Sequence, residues 1–381
     1  MCEPVSQTKI KPQIPILSFF TGGGFLDLGF EKEGFKTVWY NEYNEDFADM
    51  FEYAMSGLRK VNDNKAPKVT VNSKFSIEDL RAELLQFEAF NGPPPECFGV
   101  IGGPPCPDFS SGGKHRGHEG DHGKLSQTYI DMVCSLRPSF FLMENVPGLI
   151  RHRKHRAYFE SLRAQLHNAE YLTDFITLDA LGFGAPQHRK RVFLIGVSQN
   201  MWRKIRPGST LPNADGWFPF PKPYFENTLN YPWPGMSRFG AAPVCPKDIP
   251  EELMTIHWLK DVGIDSGMPN SDEFFVPYSE KFQTVFEGDD SRKSFKRLHR
   301  YRYSPTACYG NNEVRLSVRE ALRIQTVPDE YILPDGKTLS AKFKMIANGV
   351  PVVLARAIAK SLMDFLTETV STIQYSKVGN D

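Results

Sequence analysis

The sequence predicts an α/β fold with a doubly wound, mostly parallel sheet, and three observations lead to this prediction. Over residues 1–198, short apolar runs typical of strands alternate with segments whose apolar residues recur at helical spacing. A glycine-rich turn at 22–24 directly follows the first apolar run, as in nucleotide-binding units. Because ligands bind at the carboxyl ends of strands in such sheets, residues just after predicted strands should form one site. Four residues take such positions: Gly22, Glu42, Cys106 and Glu144.

The composition is that of an ordinary globular protein and excludes several classes of protein. Hydrophobic residues make up 40% of the 381 residues, enough for a large core and two domains. No apolar run is as long as a membrane span, and the N-terminus lacks the pattern of a signal peptide. The six cysteines are scattered, which favours reduced thiols in the cytoplasm over disulfides or a metal site.

The distribution of charge is more informative than its total. Lysine plus arginine equals aspartate plus glutamate, at 45 each, so the net charge does not indicate nucleic acid. Basic residues nevertheless cluster at 151–156, 188–191 and 292–302. Clusters of this kind form an electrostatic footprint, and together they predict a phosphate-binding face.

Three parts of the chain differ in composition and in the spacing of their apolar residues. Strands are predicted at 14–20, 37–40, 97–101, 140–143, 174–179 and 192–197, and helices from 25 and over 47–58, 77–90, 129–136 and 158–167. From 199 to 303 proline, glycine and aromatic residues replace this rhythm, and helical patterns return at 316–324 and 351–373. We therefore predict a catalytic and cofactor-binding domain over 1–198, an irregular recognition domain over 199–303, and a segment, 304–381, that returns to the first domain.

The first strand and turn indicate a cofactor that contains adenosine. The glycines let backbone N–H groups approach a ligand, and a helix N-terminus follows them. Glu42 lies about twenty residues after the turn, at the end of the second strand, where a carboxylate can accept bonds from ribose hydroxyls.

Cys106 lies on a stiff turn beside a segment rich in glycine. Two glycines and two prolines precede it, and serines and glycines follow, including Gly112 and Gly113. A thiol held on a rigid strand end beside a loop that can close is a candidate nucleophile. The alternative from this stretch alone is an inert buried cysteine.

The motifs in their order resemble the DNA (cytosine-5) methyltransferases over nearly the whole chain. "FFTGGGFLDLGF" is similar to the family's cofactor loop, and "NE" at 41–42 to its ribose-binding acid. "GGPPCPDFS" resembles the nucleophile loop, "ENVPGL" the catalytic acid motif and "QHRKR" the paired arginines. "RLSVREALRIQTVPDEY" and "ANGVPVVLARAIA" match the two C-terminal motifs, and the insert stands where the family keeps its target recognition domain.

The resemblance implies methyl transfer from S-adenosylmethionine to C5 of a cytosine that is flipped out of duplex DNA. It implies that the thiolate of Cys106 adds to C6 and that Glu144 protonates N3. Arg189 and Arg191, which share one side of an extended chain, are expected to stabilise charge on O2. The segment 110–124 resembles the loop that closes over the flipped base.

Further site residues follow from the same resemblance. The cofactor-binding residues are expected to be Phe20, Gly22, Gly24, Glu42, Ile77, Pro105, Leu125, Asn348 and Val350. The DNA-binding residues are expected to be Ser110, Lys114, Arg116, Arg297 and Arg300. Three positions depart from the family pattern: Phe25 replaces a glycine, Ser76 replaces the aspartate that meets the adenine, and Pro107 replaces a glutamine that approaches DNA.

Rival functions remain at this point. An RNA (tRNA) cytosine-5 methyltransferase shares these motifs, although its insert is small. A nicotinamide-dependent oxidoreductase would explain Glu42 but leave Cys106 and Glu144 without a role, and a catalytically inactive DNA-binding relative would not need them. We expect a monomeric, cytoplasmic modification enzyme of a prokaryotic restriction-modification system that acts on double-stranded DNA, with a cognate restriction endonuclease as a possible companion.

Overall fold

A central sheet organises the chain in a computed structural model that describes residues 13–62, 72–105, 121–276, 280–289, 291, 297–306 and 316–376. Its strands are short, and most of their residues are buried on both faces, as expected for a sheet between two layers of helices. The strands are β1 (Ile14–Phe19), β2 (Phe35–Asn41), β3 (Asn72–Ser73), β4 (Gly99–Gly102), β5 (Phe140–Asn145), β6 (Tyr171–Asp179) and β7 (Lys190–Ser198).

The order of the strands is β3-β2-β1-β4-β5-β7-β6. The first five are parallel, whereas β7 runs antiparallel to both β5 and β6. The chain therefore starts in the middle of the sheet, builds one half outwards, returns and builds the other half. This arrangement confirms the predicted doubly wound, mostly parallel α/β class.

Helices cover both faces of the sheet. One core cluster joins α1 and α11 to Phe140, Phe193 and Ile195, and a second joins α3, α4 and α6 to the opposite face through Phe141 and Leu194. The helices are α1 (Phe25–Lys32), α2 (Glu45–Asn62), α3 (Ala82–Phe90), α4 (Asp121–Leu136), α5 (Gly148–Arg151), α6 (Arg153–Asn168), α7 (Gln199–Ile205), α8 (Thr255–Leu259), α9 (Val318–Ile324), α10 (Leu339–Asn348) and α11 (Val352–Ser376).

Two helical predictions need correction. The helix predicted over 77–90 is a short 3-10 turn, Ile77–Asp79, followed by extended backbone at Leu80 and then α3. The apolar spacing continues across this break because Ile77 and Leu85 both enter the same core cluster. The helix predicted from 316 starts at Val318, since Ser317 forms a capping box with Glu320.

The region 199–303 contains few regular elements, and its first part packs on the core around the sheet. Trp202 on α7 and Phe218 both belong to the core cluster that includes α11. Asp174 on β6 accepts hydrogen bonds from the backbone N–H groups of Gly216 and Phe218, both at 2.9 Å. Core packing therefore continues past residue 199, and a domain boundary at 199 stays a prediction.

The C-terminal part packs against the part of the chain that builds the sheet. Residue Ser304 pairs with the backbone at 186–188, and α11 crosses α1 at Gly29. A Cβ at Gly29 would lie 2.5 Å from that of Ala355, so only glycine permits this close crossing. None of the helices described is both long enough and apolar enough to pass through a membrane.

Candidate active site

The register of the parallel strands aligns the ends that carry the predicted site. Phe19 at the end of β1 pairs with Asn41 of β2 on one side and with Gly102 of β4 on the other. Gly102 in turn pairs with Met143 of β5. The residues that follow these four positions therefore lie side by side along one edge of the sheet, as the sequence predicts for one site.

Glu42 and the turn at Gly22 are directly bonded. The backbone N–H of Gly22 donates to Glu42 Oε2 at 2.7 Å, and that of Asn44 donates to Oε1 at 2.8 Å. Each carboxylate oxygen keeps a second lone pair, so the pair of oxygens can still accept two hydroxyl donors. Burial raises the pKa of Glu42, and the two backbone bonds partly oppose this effect. The carboxylate is thus fixed in position and still able to bind a ribose.

The two outer glycines of this turn differ in their surroundings. Gly22 has φ +57°, and no atom lies within 4 Å of the place where a Cβ would stand. Gly24 has φ +67°, but a Cβ there would lie 2.0 Å from the ring of Phe51. Gly22 therefore faces open space in which a ligand can lie, whereas Gly24 allows the turn to pack on α2.

Phe25, the first of the three departures, points into the protein rather than into the turn. Its ring lies edge-on to Tyr331 with a centroid separation of 5.7 Å, and it is only 1% exposed. A Cβ at Gly349 would lie 2.2 Å from this ring, so Gly349 makes room for it. The hydroxyl of Tyr331 donates to the carbonyl of Gly23 at 2.7 Å. Phe25 thus helps to hold the turn at 22–24 against the C-terminal part of the chain.

The other predicted cofactor residues lie on elements around this edge. Phe20 is half-buried with a φ of +54°, and its ring is 6.4 Å from that of Tyr129. Ser76, the second departure, accepts a hydrogen bond from the N–H of Glu78 at 3.3 Å and caps the 3-10 turn that begins at Ile77. The remaining positions vary in exposure: Ile77 and Val350 are buried, Pro105 and Leu125 half-buried, and Asn348 exposed.

Glu144 is buried and paired with Arg191. The Nε of Arg191 lies 2.7 Å from Glu144 Oε1, and both side chains are 12% exposed. Glu144 lies opposite Phe193 in the antiparallel pair of β5 and β7, so Arg191, two residues before Phe193, projects from the same face. Burial raises the pKa of Glu144, while the charges of Arg191 and Arg189 oppose that rise. Burial therefore favours the protonated form of this carboxyl group, which lies beside a fixed cation.

Gly103 allows the chain to pass close to that carboxyl group. A Cβ at Gly103 would lie 2.9 Å from Glu144 Oε2. The next residues, Pro104 and Pro105, lead towards Cys106, and the carbonyl of Pro104 accepts a hydrogen bond from Asn145 at 3.4 Å. The segment before the predicted nucleophile is therefore tied to the strand that carries the predicted acid.

Arg189 makes different contacts from Arg191. Its Nη2 donates to the carbonyl of Ala347 at 2.7 Å and to that of Asn348 at 3.3 Å, and the residue is 1% exposed. Its backbone N–H donates to Asp179 Oδ1 at 3.0 Å. Arg189 therefore joins the start of β7 to the end of α10, where two predicted cofactor residues lie.

The predicted DNA-binding residues are only partly described. Arg300 donates from Nε to Glu287 Oε1 at 2.8 Å and from Nη2 to Oε2 at 3.0 Å, so its guanidinium is bound within the domain. Arg297 lies 4.2 Å from the ring centroid of Phe239. The other predicted residues lie outside the described residues: Cys106, Pro107, Ser110, Gly112, Gly113, Lys114 and Arg116.

Three residues that support this site were not among the predicted site residues. Asp179 fixes the N–H of Arg189 and pairs with His188 at 2.6 Å, although nothing in its local pattern marks it. Asn145 and Tyr331 lie in the motifs "ENVPGL" and "RLSVREALRIQTVPDEY", and these motifs are the sequence signal that could have identified them. Their partners lie 41 and 308 residues away, beyond the reach of any local pattern.

Comparison with known proteins identifies the family of this chain. Residues 14–364 match the family of C-5 cytosine-specific DNA methylases. The chain is 42% identical to the Type II methyltransferase M.NmeDI of Neisseria meningitidis serogroup C, over 92% of this chain and 84% of that protein. It is 30% identical to the Type II methyltransferase M.MthTI of Methanothermobacter thermautotrophicus, over 91% of this chain and 96% of that one.

Solved structures share the fold. A crystal structure described as that of a prophage-encoded DNA modification methyltransferase from E. coli has a TM-score of 0.61 at 22% identity, covering 93% of this chain and all of that one. The structure of the S. pombe Dnmt2 methyltransferase has a TM-score of 0.53 at 12% identity, covering 94% and 99% of the two chains. At such identities the likeness concerns the fold alone. The family match and the Type II relatives establish that this chain belongs to the C-5 cytosine-specific DNA methylases and is a DNA (cytosine-5) methyltransferase that uses S-adenosylmethionine.

Proposed function

We propose that this enzyme methylates C5 of a cytosine flipped out of a specific duplex DNA sequence, through a covalent bond between Cys106 and C6. The observation that supports this proposal most directly is the pairing of Glu144 with Arg191 beside the segment that leads to Cys106. Such a pair provides a proton donor and a fixed cation at one point, which are the two groups that activation of a cytosine ring needs.

The turn at 22–24 and Glu42 fit the methyl donor. S-adenosylmethionine supplies an electrophilic methyl group when it is bound. We propose that Glu42 accepts the ribose hydroxyls and that the open face of Gly22 allows the cofactor to approach the backbone. Around them, Phe20, Gly24, Ile77, Pro105, Leu125, Asn348 and Val350 are the proposed remaining contacts.

Glu144 acts as the general acid in this scheme. The thiolate of Cys106 forms a bond to C6, and electron density moves through the ring to N3, which takes the proton of Glu144. C5 then carries the electron pair that takes the methyl group. Transfer of the C5 proton to a water molecule, departure of the thiolate and return of the N3 proton to Glu144 restore the aromatic ring and the enzyme. Burial raises the pKa of Glu144, which favours the protonated form that the addition step requires.

Arg191 is the cation that we place at O2 of the cytosine. Its Nε binds Glu144 and its Nη1 donates to the carbonyl of Lys190 at 2.8 Å, so the planar guanidinium is held beside the acid. We give Arg189 a supporting role, because its Nη2 donates to the carbonyls of Ala347 and Asn348 and so holds the end of α10 in place. A direct contact of Arg189 with O2 stays a prediction.

The substrate and partners follow from the same proposal. We propose that residues 199–303 recognise the target sequence and that Ser110, Lys114, Arg116 and Arg297 contact DNA. Arg300 would have to leave Glu287 to do so, and its twofold bond argues for a structural role. Relatives named Type II methyltransferases support a role in DNA modification. We further propose that the enzyme is cytoplasmic and monomeric and acts beside a cognate endonuclease that cuts the same site.

Bisulfite sequencing of DNA from cells that express this chain tests the proposed function. We expect one methylated cytosine within a single sequence motif, and none in cells that express Cys106→Ala. Methylated tRNA beside unmodified DNA would instead favour the RNA methyltransferase alternative. Retained DNA methylation in Cys106→Ala would contradict the covalent mechanism while leaving the substrate assignment intact.

A further inference from the structure

An exposed group of cations beside the site has no role in the chemistry proposed above. Arg151 ends α5, and Arg153 and Lys154 begin α6; all three side chains are exposed. We name Arg151, Arg153 and Lys154 the α5–α6 patch. Within the described part of the chain these three residues form no ion pair. Arg156 differs from them, because it pairs with Glu160 at 2.7 Å.

The patch does not stabilise the helix on which it lies. The helix α6 has no side-chain cap and no acidic residue in its first turn. Cations in that turn oppose the helix dipole, which favours negative charge at the helix N-terminus. Two adjacent cations therefore stand where the fold itself favours acids, and this points to an anionic partner outside the chain.

The patch is mounted on the strand that carries Glu144. Strand β5 ends at Asn145, and α5 begins three residues later, at Gly148. His155, which is 8% exposed, places its Nδ1 3.0 Å from the carbonyl of Gly148 and so fixes the elbow between α5 and α6. Leu149 is completely buried beneath it. The three cations therefore have a fixed position relative to the edge of the sheet at which the base would react.

From this placement we infer that the α5–α6 patch binds the phosphate backbone of duplex DNA beside the target base. The inference rests on the proposed function, in which DNA is the substrate. Unpaired exposed cations on a rigid elbow match a polyanion with regularly spaced charges. Contacts of this kind position the duplex and add affinity, but they do not read its sequence.

The test compares two double variants that remove the same charge. Arg153→Gln/Lys154→Gln alters the patch. Arg203→Gln/Lys204→Gln alters two exposed cations on α7, at the opposite edge of the sheet, because Val197 near the end of β7 pairs with Phe140 at the start of β5. The probe is a fluorescein-labelled DNA duplex of random sequence, whose binding is measured by anisotropy at several salt concentrations. Circular dichroism and affinity for S-adenosylhomocysteine show that both variants are folded.

We expect the slope of log Kd against log salt concentration to fall by about 2 in the patch variant, at about 0.9 for each lost phosphate contact. The α7 variant should keep the wild-type slope, and the charge-preserving Arg153→Lys/Lys154→Arg should restore it. An unchanged slope in the patch variant, or equal reductions in both double variants, would overturn the inference.

A second readout separates this inference from the proposed function. Transfer of a tritiated methyl group from S-adenosylmethionine to genomic DNA is measured for the wild-type enzyme. Methylation of DNA together with an unchanged slope in the patch variant overturns the patch alone. Failure of the wild-type enzyme to methylate or bind DNA overturns both proposals.

Discussion

Arg191 Nε lies 2.7 Å from Glu144 Oε1 across the antiparallel pair of β5 and β7. This relationship depends on β7, the strand that runs antiparallel to its neighbours. The start of β7, just after the turn at 180–189, therefore lies beside the end of β5. The pair joins the predicted acid to a cation before any substrate arrives. Two effects oppose each other at the carboxyl group of Glu144: burial raises its pKa, and the guanidinium of Arg191 lowers it.

The first prediction concerns Glu144→Gln. Glutamine keeps the size of the side chain but cannot give a proton to N3, so methyl transfer should fall by about 10²–10⁴-fold. Affinity for S-adenosylhomocysteine, measured by calorimetry, should stay within a factor of about two, because the proposed cofactor contacts lie on other elements. Wild-type turnover in this variant would remove Glu144 from the mechanism.

Gly103→Ala tests the close passage beside Glu144. The new Cβ would lie 2.9 Å from Glu144 Oε2, so the carboxyl group must move. A misplacement of about 1 Å can lower the rate by about 10²-fold, and we expect the loss in kcat rather than in cofactor affinity. Gly92→Ala is the matched control, because nothing lies within 4 Å of its Cβ position. Equal kcat values in the two variants would contradict this account.

Gly22→Ala and Gly24→Ala should fail in different ways. Both residues have positive φ, so each alanine costs about 1 kcal/mol in backbone strain. At Gly24 the added Cβ also meets Phe51 at 2.0 Å, so urea denaturation should show a lower free energy of unfolding. At Gly22 the Cβ enters open space, and affinity for S-adenosylhomocysteine should fall more than stability does. The reverse pattern would place the cofactor elsewhere.

The carboxyl group of Asp27 on α1 should make the free energy of unfolding depend on pH. Burial raises its pKa to about 7, although Ser18 and Thr37 donate hydrogen bonds to it. Asp27 therefore keeps its proton to a higher pH in the folded state than in the unfolded state. The contribution of this bound proton to stability is lost as the pH rises through 7.

The matching experiment compares Asp27→Asn with the wild type. Urea denaturation between about pH 5 and about pH 8 should favour the variant progressively, by at most about 1.4 kcal/mol for each pH unit up to the pKa of Asp27. A difference in the free energy of unfolding that does not change with pH would show that Asp27 titrates normally in the folded protein.

The sequence was sufficient for the fold class and for the edge of the sheet where the site lies. Strand periods and the glycine turn are local signals, and the register then brings Glu42, Gly103 and Glu144 to one edge without further information. The order of motifs added the family. The helix predicted over 77–90 was wrong at Leu80, because core burial on both sides of a break mimics continuous helical spacing.

What the sequence could not predict are contacts between distant parts of the chain. The different partners of Arg189 and Arg191 depend on where α10 ends, which an alternating pattern does not reveal. The same holds for the bond from Tyr331 to Gly23, which explains why a phenylalanine is accepted at position 25. A count of basic residues likewise cannot show that Arg300 is bound by Glu287.

The most direct test of the covalent mechanism uses duplex DNA in which 5-fluorocytosine replaces cytosine, together with S-adenosylmethionine. Because fluorine cannot leave as a proton does, the bond from Cys106 to C6 should persist after methyl transfer. We predict an SDS-stable complex of protein and DNA whose peptide mass places the nucleotide on Cys106, and no such complex with Cys106→Ala. An enzyme that methylates ordinary DNA but forms no adduct, or an adduct on another residue, would contradict this mechanism.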